Sequence, residues 1–120
     1  MSSNNLEREV LRDVLSLLAE YQEKYGVADF IYKRVEVSGR VISSGGGMRV
    51  VPNPGMKGAA DIEIRWVSRK RIIHWELKKP KGGVQSPHQK FFEHKVKKKG
   101  EEYYLVTSVE QGRGILDGYL

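Results

Sequence analysis

Two β-rich runs held three residues apart set the frame for this chain. Asp61 to Val67 and Arg71 to Lys78 are dominated by β-branched and aromatic side chains, and Ser68-Arg69-Lys70 between them is a tight, basic connection. Strands joined so closely pair antiparallel, because a parallel pair needs a crossover of a dozen or more residues. Residues two apart in a strand point to the same side, so His74, Glu76 and Lys78 share one face of the second strand, and Asp61 and Glu63 share one face of the first. The pairing can therefore bring the two acidic faces together. Ile72, Ile73 and Trp75 make the second strand largely apolar, so Glu76 and Lys78 stand at the end of a core strand, where charge is less expected.

The surrounding elements alternate in type. Leu6, Val10, Val14, Leu17 and Tyr21 recur at helical spacing, with Leu11 and Leu18 widening the stripe, and predict an amphipathic helix over residues 5–24. Asn4 with Glu7 is a candidate cap, and Gly26 is a stop just past the end. Phe30 to Ile42, alternating at Val35, Val37 and Val41, reads as a strand or long hairpin arm. Residues 43–58 hold five glycines and two prolines and read as a flexible loop. The glycine run at 45–47 lacks the spacing of a phosphate-binding loop; an arm that orders on DNA and plain disorder both fit it.

After a loop over Lys79 to Gln85, Ser86-Pro87-His88-Gln89 has the form of a helix start, with Ser86 as N-cap, proline at the first helical position and Gln89 completing a capping box. The helix is expected to run to about Lys99 and stop at Gly100. Tyr103 to Thr107 predicts a last strand. Ser108 to Leu120 predicts a short helix, against which Gly112, Gly114 and Gly118 argue. The order is helix, three strands, helix, strand, helix, in one α/β domain over residues 1–120 without repeats.

Composition narrows the class. No stretch approaches the roughly 20 apolar residues of a membrane span, the first five residues have no signal-peptide pattern, and zero cysteines exclude disulfides and thiolate metal sites. An intracellular location is expected. The formal net charge of +6 favours polyanionic partners. It is concentrated: between Lys78 and Lys99 eight lysines face one acid, Glu93. A solvated helix face accounts for such a run, and so does a surface that follows a phosphate backbone.

If Asp61 and Glu76 converge, they offer hard oxygen ligands to Mg²⁺ or Mn²⁺, to which the backbone carbonyl of Leu77 can add a third. A water activated there can attack phosphorus while Lys78 orients it and offsets developing negative charge. Salt-bridge decoration of a sheet would use the same residue types. His74, His88 and His94 match no common zinc spacing; His74 alone lies near Glu76. Tyr103, Tyr104, Trp66 and Trp75 read as sheet and core residues rather than as a base-stacking platform.

In order and spacing, Gly58-Ala59-Ala60-Asp61, Glu76-Leu77-Lys78 and Ser86-Pro87-His88-Gln89 resemble the VRR-Nuc branch of the PD-(D/E)xK nucleases, over roughly residues 6–108. That branch has a Gly-x-Pro-Asp turn, a Glu-Val-Lys triplet and a Ser-x-x-Gln helix start. Ala60 here replaces the proline, which loosens the turn that aims Asp61, and Leu77 replaces the valine, which leaves the carbonyl ligand intact. The resemblance implies a restriction-endonuclease-like core with a mixed sheet of about four strands flanked by helices. It implies Asp61 and Glu76 as metal ligands, Lys78 as the catalytic lysine, Gln89 as an active-site residue and Glu7 as a helix-borne acid reaching the metal through water. On a helical wheel of about 100° per residue, Glu7 falls within the apolar stripe and Glu9 outside it; stabilisation of the first helical turn explains Glu7 equally. The capping box likewise accounts for Gln89 by itself.

Relatives consisting of this domain alone resemble homodimeric, structure-selective endonucleases acting on branched DNA such as four-way (Holliday) junctions or flaps. A homodimer is expected, with the glycine-rich loop or first helix at its interface. Arg34, Lys79, Lys81, Ser86, Lys90, Lys95, Lys97, Lys98 and Lys99 are the expected DNA contacts. The alternatives are a non-catalytic nucleic-acid-binding module using the lysine-rich helix 87–99, and a nuclease-like subunit that binds protein.

Overall fold

The apolar stripe of the first helix and the alternation of the central strands meet in one core. The computed structural model describes residues 3–35, 40–44, 47–51, 59–80 and 83–120. The elements in chain order are α1 (Ser3–Tyr25), β1 (Phe30–Arg34), β2 (Arg40–Ser44), β3 (Gly47–Val51), β4 (Ile62–Trp66), a 3-10 turn (Val67–Arg69), β5 (Arg71–Leu77), α2 (Pro87–Lys98), β6 (Glu102–Val106) and α3 (Val109–Asp117). The fold is mixed α/β. Four strands form the central sheet in the order β1-β4-β5-β6, antiparallel except for the parallel β5/β6 pair, and β2 and β3 form a separate antiparallel pair.

The sheet has helices on both faces. Ile62, Ile64 and Trp66 of β4, with Ile73, Trp75 and Leu77 of β5, point to α1 and α3, where they bury Val10, Val14, Leu17, Leu18, Tyr21 and Leu116. On the other face α2 lies over β6, and Val96 and Phe92 pack on Ala60 and Tyr103. Gly112 has a packing reason to interrupt a good helix former: a Cβ there would come within 3.1 Å of the Trp75 ring and 3.3 Å of Leu17. The glycine lets α3 lie close to the sheet at the cost of some helix propensity, about 1 kcal/mol. Gly26 (φ 101°) and Gly100 (φ 85°) end α1 and α2 in the left-handed region, as expected of C-terminal caps.

Three sequence expectations change. The strand expected over Phe30 to Ile42 is divided: β1 ends at Arg34 because its partner β4 begins at Ile62, directly opposite, and β2 pairs with β3 instead. Alternation reports an extended backbone but not which strand satisfies its hydrogen bonds. The loop expected over residues 43–58 accordingly contains β3, at Gly47–Val51, and the end of β2; residues 36–39, with Val37 of the expected alternation, and residues 45–46 and 52–58 lie outside the described set. The helix begins at Ser3, so Asn4 is inside α1 rather than a cap before it. Among the described residues no helix is long and apolar enough to cross a membrane.

Candidate active site

The β4/β5 register answers the first question about the acidic pair. Ile62 lies opposite Trp75, so the next pair outward is Asp61 and Glu76, on the sheet face that also carries Glu63 and His74. Asp61 stands just before β4, where the ladder has ended. Its Oδ2 accepts a hydrogen bond from the Leu77 main-chain N–H at 2.8 Å, and its carbonyl accepts from the Val35 N–H at 2.8 Å. The carboxylate thus completes a strand-like pairing for β5, and β1 is tied to the same residue. Ala60, which replaces the proline of the resembled motif, is fully buried with Val96 and Tyr103, so packing and two hydrogen bonds hold the turn instead.

Glu76 is 3% exposed, and its Oε1 is the only buried carboxylate oxygen without a partner among the described residues. Burial pushes its carboxyl far above the ordinary carboxylate range, the neighbouring Asp61 raises it further through a hydrogen bond and its charge, and Glu7 adds to this; Lys78 acts in the opposite sense. Three other expected residues, Asp61, Glu7 and Lys78, thus act electrostatically on Glu76. A cavity of about 240 Å³ opens beside them, lined by Glu7, Arg8, Leu11, Arg34, Asp61 and Leu77. It brings α1, the end of β1, the turn before β4 and the end of β5 to one place.

The donor set fits a hard divalent cation. Glu76, buried beside the half-buried Asp61, is costly as an anion unless a positive charge lies next to it. Asp61, Glu76 and the Leu77 carbonyl supply oxygen only, and Mg²⁺ is commonly held by one or two carboxylates while keeping several waters. Among the described residues no three His, Asp or Glu side chains gather closely enough to form a metal site by themselves, so main chain and solvent would have to complete the coordination. Such a cation would be held by Asp61 and Glu76; of the expected site residues Glu7, Arg34, Asp61 and Leu77 line the cavity, whereas Glu76 and Lys78 do not.

The remaining candidates divide. Lys78 is half-buried, and its main-chain N–H donates to Val106 at 3.0 Å. A Cβ at Gly83 would lie 2.8 Å from the Lys78 Cβ, so this glycine allows the loop to lie against the lysine stem; the sequence offered it only as a loop residue. Gln89 is occupied as a cap: its Oε1 accepts from the Ser86 N–H at 2.8 Å, while Ser86 Oγ accepts from the Gln89 N–H at 3.2 Å. It does not line the cavity. Lys90, Lys95 and Lys98 are exposed along α2 and Lys99 just past its end, Lys97 is paired with Glu93, Lys79 is half-buried and Lys81 lies outside the described residues.

Arg8 was not foreseen; it enters because it follows Glu7 on the turn of α1 that borders the cavity. Tyr103 was read as a core residue only. It is buried, which pushes its hydroxyl up to about 12, and the charges of Glu76, Glu93 and Asp61 add to the shift, whereas the Gln85 side chain donates to it at 3.2 Å and opposes it. Its parallel alignment with His74, which follows from the pairing of β6 with β5, puts it on the acidic face. His74 itself is held by Glu101, 2.6 Å from its Nε2, and by the Phe92 ring, so it stands apart from the cavity. No family model matches the chain, and neither a curated protein nor a solved structure matches it.

Proposed function

We propose that the chain is a divalent-metal-dependent DNA endonuclease of the VRR-Nuc type, with a restriction-endonuclease-like core, acting as a homodimer on branched DNA such as four-way junctions or flaps. The observation that carries the reading is the buried, unpartnered Glu76 carboxylate oxygen directly across from Asp61, with Lys78 acting on the same group. A structural salt bridge would leave no such oxygen, because burying a carboxylate without a partner costs several kcal/mol. With the β2/β3 pair set aside, the element order is helix, three strands, helix, strand, helix, the order read from the sequence.

The chemistry assigns each residue a task. When bound, Mg²⁺ or Mn²⁺ supplies Lewis acidity to the phosphate and lowers the pKa of a coordinated water. Asp61 and Glu76 hold the cation, and the Leu77 N–H fixes the Asp61 carboxylate for that purpose. Lys78 orients the attacking water and balances charge that develops on phosphorus. Arg34, which lines the cavity, contacts a phosphate of the same strand in this reading.

The test is cleavage of labelled linear duplex, single strand, flap and junction DNA with Mg²⁺, Mn²⁺, Ca²⁺ or EDTA, for the wild type and Glu76→Ala. Cutting of at least one substrate with Mg²⁺ or Mn²⁺, abolished by EDTA and by Glu76→Ala, is expected. Binding without cutting on every substrate sinks the enzyme reading and leaves the non-catalytic module. A monomeric mass in sedimentation at micromolar concentration would remove the dimer.

A further inference from the structure

The outward face of α2 carries a feature that the metal site does not use. Of the large hydrophobic side chains exposed among the described residues, Phe91 is the only aromatic one, and it is 64% exposed. Val96 marks the buried side of the helix, and Phe91, His94 and Lys98, at i, i+3 and i+7, form a stripe on the opposite side. The Lys95 ammonium lies 5.5 Å from the Phe91 ring centre. Lys97 is taken by Glu93, but no carboxylate among the described residues pairs with Lys90, Lys95 or Lys98.

Topology relates this stripe to the cavity. Because β5 and β6 are parallel, α2 starts beside the end of β5, where Leu77 and Asp61 lie, and returns along the sheet to the start of β6. Its twelve residues span about 18 Å at roughly 1.5 Å per residue. Phe91 is the fifth of them, toward the site end, with most of the lysines beyond it.

We propose that the outer face of α2 binds the unpaired stretch of the DNA substrate, with Phe91 stacking on a base and Lys90, Lys95 and Lys98 contacting the flanking phosphates. This rests on the reading of the cavity as a DNA-cleaving site and specifies where the strand runs on leaving it. A lone aromatic ring among unpaired lysines suits a nucleobase better than a protein, since protein interfaces are depleted of lysine at their cores, whereas stacking on every base is compatible with surrounding cations. Only DNA with unstacked bases can use the ring, so the surface also selects flaps and branch points over intact duplex.

Binding of oligothymidylate, flap DNA and blunt duplex is measured in EDTA, where cleavage plays no part, for the wild type, Phe91→Ala, Phe91→Leu and Phe91→Trp. Stacking of one base is expected to make Phe91→Ala and Phe91→Leu on the order of tenfold weaker for oligothymidylate and flap. Phe91→Trp keeps wild-type affinity, and blunt duplex is bound alike by all four. Trp66 and Trp75 are both fully buried, so the indole introduced by Phe91→Trp is the solvent-facing one. Its emission should be quenched by oligothymidylate and not by inorganic polyphosphate. Unchanged oligothymidylate affinity in Phe91→Ala, or equal quenching by polyphosphate, overturns the proposal. Loss of self-association in Phe91→Ala with unchanged DNA affinity overturns it too, assigning the face to a second copy of the chain. A protein that cuts DNA but shows unchanged affinity in Phe91→Ala loses only this inference; base-dependent quenching without metal-dependent cutting loses the nuclease reading instead.

Discussion

At the end of the sheet where β1 begins and β4 stops, Asp29 accepts from the Ser68 main-chain N–H at 2.6 Å and from its hydroxyl at 2.7 Å, and these bonds hold its carboxyl below the ordinary range. Nearby, Glu102 is met by the Tyr119 hydroxyl at 2.8 Å and by Arg71 at 3.4 Å. At the opposite end, Glu76 is buried against a second acid, its carboxyl is raised and one oxygen has no partner. Both ends belong to the same four strands. Where the fold needed an acid, it supplied donors; where it did not, the acid is kept at a stability cost, which is the pattern of a binding site.

The far end also carries a cluster of aromatic side chains around Trp66. Trp66 is fully buried, its ring 5.0 Å from those of both Phe30 and Tyr25 and edge-on to Tyr21 and Tyr119. Trp66→Ala should destabilise the chain by about 3–5 kcal/mol, read by urea denaturation. A loss below about 1 kcal/mol would mean that the site end, not this one, anchors the domain.

Lys78 tests the other end. Lys78→Ala is expected to lower kcat on the order of a hundredfold while leaving the rise of Tm on adding Mg²⁺ in place, because the carboxylates proposed to hold the cation remain. If the Mg²⁺-dependent rise in Tm disappears with the lysine, its role is to organise the ligands rather than to act on the phosphate.

Much of this arrangement was legible in the chain. The α1 stripe, the Ser86/Gln89 capping box and the stops at Gly26 and Gly100 are local codes, set by side-chain periodicity and backbone freedom, and each is present in the structure. The meeting of Asp61 and Glu76 followed from one short turn. What was not legible depended on partners distant in sequence. The division of residues 30–42 is set by where β4 begins, and the place of Tyr103 on the acidic face follows from parallel pairing with β5. Arg8 became visible only when α1 was laid across the strand ends. Gln89 illustrates a limit of motifs, since the cap that made it recognisable also occupies its side-chain oxygen.

Glu76 gives the comparison a sign in pH. Its folded carboxyl titrates above its unfolded value, so between the two the folded state holds more protons and wild-type stability falls as pH rises through the unfolded value toward the folded one. Glu76→Gln removes this penalty. The variant should match the wild type below pH of about 4, where both states are protonated, and melt progressively higher than the wild type toward neutral and alkaline pH, with roughly 4 °C for each kcal/mol. Mg²⁺ should reverse the order at alkaline pH by stabilising the wild type alone. A gap between the two proteins that does not depend on pH would remove the buried-carboxylate account of the site.

The smallest effect is expected from the acid nearest the site that the fold does supply with partners. Glu63 shares the sheet face of Asp61 two residues away, but Lys33 meets it at 3.2 Å and Arg65 at 3.7 Å, and both cations are more than half exposed. Exposed pairs of this kind contribute at most about 1 kcal/mol. Glu63→Gln should therefore shift Tm by no more than a few degrees and leave both cleavage and the Mg²⁺ response at wild-type levels. If this substitution reduces cleavage as strongly as Glu76→Ala, the acids of this face work as one extended cluster, and the distinction between a satisfied and an unsatisfied carboxylate no longer locates the site.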